Sequence, residues 1–150
     1  MYKFTNQIDF AEWRSQVENK ALLFVEKFET LIDESAEQTL LNIGKWLLNT
    51  YPEMIDLEND TETWDLLVCF VGETFRKSLN GVWVCEDEDE RSIYYGKPVV
   101  VFGANVVLEE IKYFYNITHI FTMMIDRQQS DRIKVHYLEF IEDMTNDGAL

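Results

Sequence analysis

Apolar residues recur along the start of the chain at steps of three and four. Phe10, Trp13, Val17, Ala21, Phe24, Phe28 and Leu31 form one stripe with the period of an α-helix. Asp9, with Glu12 three residues on, has the spacing of a capping box and predicts the helix start there. Asp33-Glu34-Ser35 ends the stripe, and Ser35 with Gln38 predicts a second start. Leu40, Ile43 and Leu47 follow, with Tyr51 at the end, and Pro52 blocks continuation. Met54, Ile55 and Leu57 make a short apolar patch in the connector. A third helix is predicted from Asn59 or Thr61, burying Trp64, Leu67, Val68, Val71, Phe75 and Leu79. Arg76 and Lys77 in its last turn suit the helix dipole, and Asn80-Gly81 is a strong stop.

The period then changes. Val82-Trp83-Val84-Cys85, Ser92-Ile93-Tyr94-Tyr95 and Pro98-Val99-Val100-Val101-Phe102 are short runs rich in β-branched and aromatic residues. They predict a small antiparallel sheet over about 82–102, with Gly96-Lys97 turning between the second and third strands. From Val107, the positions Ile111, Phe114, Ile117, Phe121 and Met124 return to helical spacing. The β-branched residues within 115–122 leave a strand there as the alternative. Ile133, Tyr137, Phe140 and Ile141 predict a final helix from about Ser130. The reading is one α+β domain over 1–150: three N-terminal helices, a small antiparallel sheet and C-terminal helical segments.

Composition agrees with a folded chain. Of its 150 residues, ten are Phe, seven Tyr and four Trp, whereas disordered chains are poor in aromatics. Charge adds a functional constraint. Twenty-eight Asp and Glu face thirteen Lys and Arg, a formal charge of −15. Phosphate affinity is built from Lys and Arg, so nucleic acid is not the expected partner, nor is an anionic membrane surface. Fast, salt-sensitive encounter with a basic protein is the expectation. The start of the sequence has no apolar signal core and the two cysteines, Cys69 and Cys85, stand apart, so a reducing cytoplasm is expected.

The acidity is concentrated in one place. Glu86, Asp87, Glu88, Asp89 and Glu90 are consecutive, between two predicted strands. Adjacent like charges repel, so such a run is either a solvated loop or a surface for a cationic partner. It lacks the alternating pattern and the glycine of a calcium loop. Cys69, Cys85, His119 and His136 do not have zinc spacing. No phosphate-cradling glycine loop and no nucleophile elbow is present. No cofactor, metal or enzymatic role is therefore expected. His119 reads as a structural histidine and His136 as a surface one.

The segment Val71-Gly72-Glu73-Thr74-Phe75-Arg76-Lys77-Ser78-Leu79-Asn80-Gly81-Val82-Trp83 puts a glycine inside a helix, at about 1 kcal/mol against alanine. Gly72, Asn80, Gly81 and Trp83 read as tight packing where a helix turns into a strand. Together with Tyr94-Tyr95-Gly96-Lys97-Pro98-Val99-Val100, this segment resembles a pattern in small bacterial proteins. Some of those resemble immunity proteins encoded beside secreted or contact-dependent toxins. The resemblance implies a non-enzymatic inhibitor that blocks a basic toxin domain. It covers about thirty residues, and the pattern normally has a short strand connection where this chain carries its acidic run. The run is then the partner-specific surface: Glu86, Asp87, Glu88, Asp89 and Glu90, with Arg91 as an orienting charge and Tyr94 and Tyr95 as aromatic anchors. The competing expectations are an adaptor whose acidity serves only solvation, and an enzyme with a pocket around His119 lined by carboxylates.

Overall fold

The computed structural model describes residues 2–102 and 113–150. Helix α1 (Gln7–Lys27) begins one turn earlier than the Asp9 start expected. Asn6 is the cap: its side-chain oxygen accepts the Asp9 N–H at 2.8 Å, and its amide donates to the Asp9 carboxylate at 2.9 Å. Asp9 thus serves as the third helical residue of the cap, where a carboxylate faces the positive end of the helix dipole. After α1 a single 3-10 turn over Glu29–Leu31 leads to α2 (Ala36–Thr50), capped by Ser35 as expected. The connector after Pro52 is itself helical. α3 (Met54–Asn59) starts from a Glu53–Asp56 capping box and buries Leu57. α4 (Thr61–Ser78) starts from Asp60.

Helix α4 is the axis of the molecule. Leu67, Val68, Val71, Phe75 and Leu79 are fully buried, and on other sides Cys69 is fully buried and Leu66 nearly so. A helix with apolar residues on several sides needs cover on several sides. α1 lies along α4, while α3, α5 (Ile117–Arg127) and the sheet pack on its remaining sides. α6 (Arg132–Asn146) packs mainly against α2. Each fully buried Leu, Val or Phe in this core contributes roughly 1.5–3 kcal/mol.

The sheet has three antiparallel strands in the order β1-β2-β3: β1 (Val82–Cys85), β2 (Pro98–Phe102) and β3 (Tyr113–Tyr115). Trp83 pairs with Val100, and Val100 with Tyr115. Every residue of β2 is buried, as its unbroken apolar run requires of a central strand covered on both faces. Pro98 sits at the strand start, where its missing N–H costs no ladder bond.

One expected strand is absent. Ser92–Tyr95 forms turns, joined to the β1 side only by a single bridge between Glu86 and Tyr95. Its backbone is satisfied locally: Ser92 N–H reaches the Asp89 carbonyl, Tyr95 N–H the Ser92 carbonyl and Lys97 N–H the Tyr94 carbonyl. The edge is completed instead by β3. The helix-or-strand ambiguity expected beyond 107 resolves into both, a strand at Tyr113–Tyr115 and then α5, whose Asn116 cap accepts the His119 N–H. Val107 and Ile111 lie outside the described residues.

Candidate functional site

Four of the singled-out residues at the end of α4 meet in one cluster. Gly72 leaves room for the Trp83 indole: a Cβ there would stand 2.0 Å from Cη2. Trp83 Nε1 donates to Glu73 Oε1 at 2.8 Å, and Arg76 holds the same carboxylate through Nε at 2.7 Å and Nη2 at 2.8 Å. Burial raises the Glu73 carboxyl, but the bonds from Arg76 and Trp83 outweigh it and hold the group below the usual range. Asn80 takes the left-handed turn at φ 53°, and the Gly81 N–H closes back on the Arg76 carbonyl. Every polar atom of Glu73 is used, so the cluster is packing. It fixes β1, and with it the start of the acidic run.

The run itself is a folded loop. Glu86 Oε1 accepts the N–H of Glu88 at 2.8 Å and of Asp89 at 3.1 Å. Asp89 Oδ1 accepts the Arg91 N–H at 3.0 Å and its Nε at 3.3 Å. The Glu86 carbonyl accepts from Gly96, which at φ 70° makes the turn that also receives the Phe4 N–H. Two of the five acids are therefore bonded into the loop. Glu88, Glu90 and Arg91 are exposed, Arg91 with 93 % of its side chain open, and Asp87 is half-buried.

Tyr94 and Tyr95 do not alternate across a strand as expected. Both are half-buried, on different walls. Tyr95 joins Lys3, Thr5 and Glu90 around a small hollow. Tyr94, with exposed Ile93, forms one side of a cleft of about 420 Å³ whose other sides come from α5 and α6. The structure thus brings the acidic loop and an apolar cleft together, and the cleft was not legible in the sequence. His119 and His136, the chain's only histidines, both line it. Neither shows a local pattern, because α5 and α6 meet the 93–97 turn only in three dimensions. Among the described residues its lining has no carboxylate, unlike the acid-lined pocket around His119 weighed from sequence.

No family model, no curated protein and no solved structure matches the chain. Its chemistry therefore rests on the residues themselves. Cys85, beside the loop, is buried and its thiol is pushed up to about 11, first by burial and then by Asp87 and Glu86. Such a thiol is a poor nucleophile at neutral pH. Among the described residues no three His, Cys, Asp or Glu side chains gather as a metal site, and no helix is long and apolar enough to cross a membrane.

Proposed function

We propose that the chain is a protein-binding module of the immunity type, which occludes a basic toxin domain with its 86–95 loop. The observation that carries this reading is the loop's construction. Glu86 and Asp89 hold the backbone in shape, and Glu88, Glu90 and Arg91 are left facing solvent beside exposed Ile93. Preformed loops lose little entropy on binding, apolar side chains at a rim supply contact area, and charges steer encounter. A partner of opposite sign fits both the loop and the net charge of −15.

The partner to test is the product of the gene adjacent to this one. Its association rate with Glu88→Gln/Glu90→Gln is expected to fall several-fold at low salt and to lose part of its salt dependence. The fold is expected to remain, since neither side chain holds the loop. An association rate that the double variant leaves unchanged at every salt concentration removes the loop from the mechanism. It would favour an adaptor whose acidity only solvates.

A further inference from the structure

We propose that residues 2–7 form a strap that holds the base of the acidic loop, so that Tyr2 and Phe4 are positioning residues for it. Residues 2–6 form neither helix nor strand, and side chains hold them in place. The Tyr2 hydroxyl donates to Oδ1 of Asp65 on α4, and Trp13 Nε1 donates to the same oxygen at 3.0 Å. Lys20 Nζ takes Oδ2, so both carboxylate oxygens are engaged. The Tyr2 ring meets Trp13 edge-on at 5.3 Å and stacks on Trp64 at 6.3 Å. Phe4 lies against Phe10 at 5.6 Å and Trp13 at 5.5 Å. This end of the strap is therefore fixed to α1 and α4, the best-packed helix pair of the fold.

From that anchor the strap reaches the loop on both sides of the acidic run. Before the run, Gln7 Nε2 donates to the Cys85 carbonyl at 3.0 Å. After it, the Phe4 N–H donates to the Gly96 carbonyl at 2.8 Å. The Gly96 N–H in turn donates to the Glu86 carbonyl at 2.8 Å, which ties the two ends of the loop to each other. The approach of the two segments is close: a Cβ on Gly96 would stand 3.1 Å from the Phe4 carbonyl oxygen. Between these contacts Lys3 and Thr5 share a hollow with Glu90 and Tyr95. Adjacent carboxylates repel and favour an open loop. Glu86 and Asp89 oppose this in the middle of the loop, and the strap opposes it at the base. Where the loop meets a partner, this inference rests on the function proposed above; the strap itself does not.

Amide hydrogen exchange of the full chain, followed by NMR, separates a strap from ordinary packing. Phe4→Ala is expected to speed exchange at Gly96 and Glu88 by at least about tenfold, while Leu67 and Val71 in α4 keep their protection. Phe4→Leu, which restores apolar contact, is expected to recover most of the loss. Tyr2→Phe keeps the ring and removes the bond to Asp65; it is expected to speed exchange at Gly96 several-fold, and it decides the matter if Phe4→Ala does not fold. Unchanged exchange at Gly96 in the folded variant overturns the proposal. So does an acceleration that is equal in the loop and in α4, because that would be a loss of global stability. Association of Phe4→Ala with the adjacent gene's product keeps the two readings apart. Faster loop exchange with an unchanged association rate supports the strap and counts against the loop as the binding surface. Unchanged exchange overturns the strap and leaves the loop's role to the Glu88→Gln/Glu90→Gln variant.

Discussion

At the scale of single residues, Gly72 is held by a side chain packed directly against it. Alanine there would gain helix propensity but would drive a methyl into the six-membered ring of Trp83. Overpacking of this kind typically costs about 1–3 kcal/mol, more than the propensity gain. Gly72→Ala is therefore expected to lower the urea midpoint at unchanged slope, and a variant as stable as the parent would refute this account of the helix end. Glu73 makes a complementary prediction. Its carboxyl lies below its usual range when folded, because the Arg76 and Trp83 bonds overcome burial. A depressed folded value means that the carboxylate stabilises the protein fully above the unfolded value near 4.3 and loses this as pH falls towards the folded one. Glu73→Gln is expected to be less stable at pH 7 by about 2 kcal/mol. The difference from the parent should shrink below about pH 4. Chemical denaturation at pH 7 and pH 3 measures both, and a gap that widens in acid contradicts the sign.

At the scale of elements, the acidic loop combines two roles in adjacent residues. Glu86 accepts two backbone N–H groups, a charge-assisted arrangement that closes the turn against its own like-charged neighbours. Glu86→Gln is expected to speed hydrogen exchange at Glu88 and Asp89 while core amides of α4 stay protected. Glu88→Gln, with no such bond, is expected to leave the same amides unchanged. Equal exchange in both variants would show that the loop does not depend on Glu86. The sequence could flag this run by its charge but could not assign roles within it. Five similar side chains differ only in which backbone groups lie near them. The same limit explains Ser92–Tyr95. Its composition is that of a strand, yet a strand needs a partner, and the strand that completes the sheet comes from Tyr113–Tyr115 instead.

At the scale of the whole molecule, α2 meets the turn between α5 and α6 at Gly44, where a Cβ would fall 1.8 Å from the Ser130 carbonyl oxygen. A backbone atom cannot swing aside as a side chain can. Gly44→Ala is expected to loosen the packing of α6 on α2 and to destabilise by at least about 1–3 kcal/mol, read as a lower melting temperature. A melting temperature equal to the parent's would place that contact elsewhere.

The sequence by itself determined what depends on near neighbours. The stripes of the first two helices, the Ser35 cap, the Asn80-Gly81 stop, the strands at 82–85 and 98–102 and the α+β class are all set by period, capping chemistry and backbone preference within a few residues. The tertiary structure decided what depends on residues distant in the chain. It made α4 the central helix, joined Gly72 to Trp83, completed the sheet with β3 and gathered two unrelated histidines and Tyr115 around one cleft. Packing couples residues through space, and the order of residues along a chain carries no local mark of which distant side chain will fill the gap beside a glycine or leave a hydroxyl without an acceptor.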